Sequence, residues 1–150
     1  MERGVWMEEK CIFCEIAAGQ APASIVAEDE WCLAFLDIRP VNRGHTLVIP
    51  KAHAALLSEL EPALGGRMFQ MAQRIAQGLR TLAQQDRGFR CEAVNLMLAD
   101  GAAAGQEVDH VHLHVLPRYH GDGFGFHFGR SAAPGRSEMD ELASELRTAL

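Results

Sequence analysis

Residues 110–117 read HVHLHVLP, with histidines at every second position and Val111, Leu113 and Val115 between them. Successive side chains of an extended chain point to opposite faces. This spacing therefore sets His110, His112 and His114 on one face of a strand and the aliphatic residues on the other. Such a segment reads as a sheet strand with a core on one side and a row of imidazoles on the other. A merely wet face would be served by Thr, Lys or Glu. Imidazole is the side chain suited to nucleophilic attack, proton transfer or metal ligation near neutral pH.

The rest of the chain supplies a sheet for that strand. SIVAED (24–29) and EWCLAFLDI (30–38) read as two strands joined at Asp29 and Glu30, and HTLVIP (45–50) as a third ended by Pro50. From 58 to 84 the spacing turns helical, with Leu64, Met68, Met71, Ile75, Leu79 and Leu82 on one stripe. That stripe is core. Asp86 to Gly88 closes the helix, EAVNLML (92–98) is extended again, and ADGAAAGQ (99–106) is a small, flexible approach to the histidines. GDGFGFHFG (121–129) is a glycine-rich loop whose aromatics cover something nearby. Ser137 and Asp140 resemble a capping box, and Met139, Leu142, Ala143, Leu146 and Leu150 form a stripe. This predicts a C-terminal helix packed on the body or on a partner. Five strands with short connections and one long helix predict an antiparallel α+β sheet in one domain spanning 1–150.

The net charge of −6 argues against a general nucleic-acid binder. It leaves room for a small anionic ligand, because local arginines and backbone N–H groups bind phosphate inside acidic proteins. Arg39, Arg43, Lys51 and Arg118 all lie near the segments above. The first ten residues, MERGVWMEEK, lack an apolar run, and no stretch approaches a membrane span. With four cysteines and no leader, the expected compartment is the reducing cytoplasm.

Three chemistries fit the histidine row: a zinc hydrolase, nucleophilic catalysis by one imidazole, or a structural polar face. The approach loop favours phosphate. Gly101 and Gly105 let backbone come close to a ligand, and Gln106 and Glu107 add polar groups at the strand entrance. A carboxylate-rich surround would have favoured a metal. Cys11 and Cys14 form a C-x-x-C, open to redox or zinc, although no βαβ context accompanies it. Cys32 and Cys91 read as small buried hydrophobes.

GQEVDHVHLHVLPR closely resembles the signature of the histidine triad family, and CIFCEIAAGQAPASIVAEDEWCLAFLDIRPVNRGHTLVIPKAH resembles its N-terminal half, so the likeness covers about residues 11–120. The resemblance implies a nucleotide hydrolase or transferase that cleaves at the α-phosphate of purine nucleoside phosphoramidates or dinucleoside polyphosphates. It makes His112 the nucleophile of a covalent nucleotidyl-histidine intermediate. His114 binds phosphate oxygens and assists the leaving group, and His110 and His45 shape the site. Asp37 would take the ribose hydroxyls, and Ile12, Phe13 and Ile16 the adenine or guanine base. Asn95, Gly105 and Gln106 complete the expected nucleotide contacts.

Two positions depart from the family pattern. Ala99 stands where many relatives carry Asn or Gln, and Glu107 where many carry Ser or Thr near the leaving group. The loss at Ala99 opens an alternative reading, a nucleotide-binding regulatory module with little catalysis. The resemblance also implies a structural zinc held by Cys11, Cys14, His53 and His110, and a homodimer.

Overall fold

The structure is a computed structural model that describes residues 10–126 and 133–150. Residues 1–9 of the N-terminal stretch, and residues 127–129 of the glycine-rich loop, lie outside the described residues. The chain runs through α1 (Ile12–Ala17), β1 (Ile25–Glu28), β2 (Cys32–Leu36), β3 (Thr46–Pro50), α2 (Pro62–Gln85), β4 (Ala93–Met97), β5 (Leu113–Arg118) and α3 (Arg136–Ala149). The five strands form one antiparallel sheet in the order β1-β2-β3-β5-β4. This is the α+β architecture the sequence predicts.

Local chemistry explains the joints. Asp29 Oδ1 accepts from the Trp31 and Cys32 amides at 2.9 and 2.8 Å, an Asx turn that reverses β1 into β2. The central strands β2 and β3 are covered on both faces, which is why CLAFL and TLVIP show no polar alternation. On one side α2 lays Met68, Met71, Ile75 and Leu79 against Cys32, Ala34, Val48, Val111 and Val115. On the other, α1 seats Phe13 against Leu33, Phe35, Leu47 and Ile49. The candidate site grows out of this second, thinner layer.

Three expectations shift. The long helix begins at Pro62 rather than 58, because a separate 3-10 turn takes Leu57–Glu59 and Pro62 suits a helix's first turn. Its stripe is buried at Met68 through Leu79, whereas Leu82 is exposed. The capping box at Ser137 does not form. Gly135 occupies the cap position, so Ser137 lies inside the helix and its hydroxyl bonds Glu141. None of the α3 residues is buried, and Met139, Leu142 and Leu146 are exposed, so the body described here does not cover the stripe.

The histidine strand also starts late. Pairing with β3 begins at Leu113, opposite Val48. Upstream, the Val111 amide donates to the Ala54 carbonyl at 2.8 Å and the His110 ring takes the Pro50 carbonyl. Pro50 has no N–H to offer a ladder, so the chain leaves the sheet there. Val111 and Val115 still face the helix core, and Leu113 packs on it part-buried.

Candidate active site

A cleft of about 420 Å³ opens above the thinner layer, a size suited to a small organic ligand. α1 contributes Ile12, Phe13 and Ile16; the end of β2 contributes Leu36 and Asp37; β5 and the residue before it contribute His114 and His112. The predicted base-binding trio, the predicted ribose ligand and two of the three triad histidines therefore share one cavity.

Hydrogen bonds assign a tautomer to each imidazole. His112 donates from Nδ1 to the His110 carbonyl at 2.7 Å, which leaves the lone pair on Nε2. His45 accepts the Val41 amide at Nδ1, 3.1 Å, so its proton sits on Nε2. From there it donates to His114 Nδ1 at 2.9 Å, which puts the His114 proton on Nε2. His110 donates from Nε2 to the Pro50 carbonyl at 2.8 Å, leaving Nδ1 bare. One imidazole thus carries a lone pair as a nucleophile would, and its neighbour carries a donor. Their ring centroids are 4.9 Å apart. Phe13 sets its ring edge-on against His110 and His112, holding both planes.

Charge follows the same division. Burial, then the neighbouring His112 and His45 imidazoles, push His114 down to about 4, against a smaller pull from Asp37. Burial also lowers His45, opposed by Asp37 at 3.6 Å. Both rings are neutral at pH 7. Asp37, His45 and His114 form a compact polar cluster. The 2.9 Å between the two imidazole nitrogens is a hydrogen-bond length, shorter than the roughly 3.3 Å that separates two nitrogens on one tetrahedral zinc.

A second cluster gathers Cys11, Cys14, His53 and His110, whose donor atoms all lie within 4.8 Å of one another. Cys11 Sγ is 3.4 Å from His110 Nδ1, and Cys14 Sγ is 3.3 Å from His53 Nδ1 and 3.6 Å from His110 Nδ1. The two Nδ1 atoms are 3.3 Å apart. Ligands around a tetrahedral zinc at ordinary bond lengths stand about 3.3–3.8 Å from one another, so these four residues fit that ion. The Pro50 bond fixes the His110 ring with its bare nitrogen toward the sulfurs, as an outer partner of a metal-binding histidine does. Burial and the adjacent Cys11 raise the Cys14 thiol to about 11. A thiolate pair here calls for a cation.

Other expected contacts fall elsewhere. Asn95 does not line the cleft: it sits opposite Leu116 on β4, and its Oδ1 accepts from Arg118 at 2.7 Å. Gln106 is buried and works on its own loop. Its Oε1 accepts the Gly101 amide at 2.7 Å, and its Nε2 donates to the Ala55 and Val108 carbonyls at 2.8 and 2.9 Å. Gly105 closes that loop at φ +91° and does not line the cleft either. Ala99 is buried. Glu107 does line the cleft, and Arg39 faces it at 3.6 Å. Of the four basic residues that the sequence places near these segments, Arg39, two residues after Asp37, is the one that lines the cleft. Cys32 is fully buried, whereas Cys91 is only half-buried. No helix among the described residues is long and apolar enough to cross a membrane.

Residues 18–121 match the HIT domain family. The crystal structure of a HIT family member from Bacillus subtilis superposes with a TM-score of 0.85 at 38% identity, covering 95% of this chain and 98% of that one. A Zn-bound histidine triad family protein from Mycobacterium smegmatis is 38% identical with a TM-score of 0.64, over 93% of this chain and 97% of that one. Among curated relatives, a Schizosaccharomyces pombe protein named adenosine 5'-monophosphoramidase is 37% identical over 108 residues, 72% of this chain and 74% of the relative.

Proposed function

The chain belongs to the HIT domain family, and on that premise we propose that it hydrolyses a purine nucleoside phosphate derivative at the α-phosphorus through a nucleotidyl-histidine. The observation that carries this reading is the 2.7 Å bond from His112 Nδ1 to the His110 carbonyl, which leaves Nε2 as the nucleophilic nitrogen of a cleft-lining imidazole.

The base lies on Ile12, Phe13 and Ile16, and the ribose reaches Asp37. The phosphoryl group then meets the imidazoles. His112 Nε2 forms a bond to phosphorus as the bond to the leaving atom breaks. The leaving group departs with that electron pair and with one proton, drawn from solvent through the Nε2–H of His114. His45 keeps the His114 donor aimed by occupying Nδ1. In the second half, water adds its oxygen to phosphorus, the P–Nε2 bond breaks, and one water proton passes to solvent. The products are a nucleoside monophosphate and the protonated leaving group. The adenosine 5'-monophosphoramidase name of the yeast relative supports a phosphoramidate as one substrate.

Zinc at Cys11, Cys14, His53 and His110 is part of the proposal, supported by the fit of the four donors and by the Zn-bound relative. Its role there is structural, tying α1 to the residue that positions His112. We also propose a homodimer; β4 is an open edge of the sheet, which favours pairing with another strand.

The test is turnover of adenosine 5'-phosphoramidate and diadenosine polyphosphates by wild type and His112→Ala. Wild type is expected to release AMP, and the variant to lose about 10³-fold or more in kcat while retaining nucleotide binding. Equal turnover by the two proteins would remove His112 from its assigned role. Tight binding with no hydrolysis by wild type would favour the regulatory module.

A further inference from the structure

Beyond the imidazoles, the charged side chains lining the cleft among the described residues are Asp37, Arg39 and Glu107. Asp37 is engaged: its Oδ1 accepts the Arg39 amide at 2.8 Å and its Oδ2 faces His45 at 3.6 Å. Arg39 and Glu107 stand at the mouth, with side chains 82% and 80% exposed and their charges 3.6 Å apart. The floor is apolar and takes a base, and this pair supplies the exposed charge on the cleft's lining.

The balance of charge there is unusual for an anion-binding site. Two carboxylates stand against one guanidinium, and that guanidinium is already matched by Glu107. Burial holds His114 neutral and lowers His45 as well, so neither of these two rings brings positive charge to the cleft. Among the described residues, the cleft therefore presents donors for one phosphoryl group and no further cationic side chain to match a chain of them.

Resting on the hydrolase reading above, we propose that Arg39 and Glu107 form a charge filter that selects the leaving group. The filter admits substrates with one phosphoryl group and a neutral or cationic amine, and disfavours polyphosphate or carboxylate-bearing leaving groups. Glu107 is the discriminating residue. Its carboxylate attracts an ammonium on the departing amine and repels a second phosphate, while Arg39 limits that repulsion enough to let the first phosphate in. The chemical step is the one already written: the P–N bond breaks and the amine leaves with its electron pair and a proton. Both groups are exposed, so the selectivity is a matter of severalfold and weakens with salt.

The test compares kcat/KM for three adenosine 5'-phosphoramidates, those of a short diamine, an uncharged alkylamine of equal length and an ω-amino carboxylate, together with diadenosine tetraphosphate. Wild type at low salt should prefer the diamine over the carboxylate by about 5- to 10-fold, and this ratio should fall toward about 2 in 0.5 M salt. Glu107→Gln should compress the ratio, Glu107→Lys invert it, Glu107→Asp preserve it, and Arg39→Gln widen it. Inhibition constants of the matching non-cleavable adenosine phosphonate analogues should follow the same charge order. A ratio that is the same in Glu107→Gln and wild type, or faster turnover of the tetraphosphate, overturns the filter. If nothing is hydrolysed, the hydrolase reading fails by itself, and the order of the inhibition constants still decides the filter.

Discussion

The main-chain carbonyl of His110 holds the Nδ1–H of His112 at 2.7 Å, while the ring of the same His110 reaches Cys11 Sγ at 3.4 Å. One residue thus joins the cysteine cluster to the proposed nucleophile. Protein purified without chelators is expected to carry about one zinc per chain by elemental analysis, and Cys14→Ser less than about one-tenth. The variant should melt at least about 5 °C lower, because α1 loses its tie to the end of β3. Less than about one-tenth equivalent in wild type would end the zinc assignment.

Stability should depend on pH through His114. Its folded pKa of about 4 lies below the value near 6.5 of an unfolded histidine. The unfolded chain therefore binds the proton first as pH falls. The stabilisation is complete above about 6.5 and is lost progressively down to about 4. Melting temperature should fall across that window, and His114→Asn, which keeps an acceptor for His45, should flatten the slope. An unchanged slope in the variant would assign the acid sensitivity to other groups.

Gln106→Ala should loosen the loop that carries Glu107 and Val108 to the cleft. Three short hydrogen bonds disappear from a buried side chain, a loss of about 2–4 kcal/mol in urea unfolding. KM should rise more than kcat falls, because the wall moves and the imidazoles do not.

Gly44→Ala tests the entry to His45. Gly44 sits at φ +96°, and an added Cβ would stand 2.7 Å from Phe89 Cζ and 3.0 Å from Leu79 Cδ2. Strain and overlap together should destabilise the fold by about 2–4 kcal/mol. A stability within about 0.5 kcal/mol of wild type would mean that the backbone relaxes freely there.

The sequence was most legible where side-chain period decides position. Alternation placed His112 and His114 together and Val111 and Val115 in the core, and the 3.6-residue stripe placed Met68, Met71 and Ile75 under the sheet. The family likeness brought Ile12, Phe13, Ile16 and Asp37 to the same cleft. What escaped depends on partners far along the chain. The His45 tautomer is set by the Val41 amide and the His110 tautomer by the Pro50 carbonyl, neither marked by any pattern. Asn95 shares a sheet face with His114, but its register opposite Leu116 brings it to Arg118 instead. A polar residue beside glycines, such as Gln106, serves either a ligand or its own loop, and here the loop claims it. The Arg39–Glu107 pair spans 68 positions and leaves no local trace.

The register of β5 against β3 has a consequence for how this chain can vary. Val115 faces Thr46 and His114 faces Leu47, with odd and even positions committed to opposite sides. Losing or gaining one residue between Val111 and Val115 would turn imidazoles into the helix core and valines into the cleft in one step. The segment therefore tolerates changes of letter far better than changes of spacing. Descendants of this chain can retune the rim at Arg39 and Glu107 freely, while the count of residues along the histidine row stays frozen.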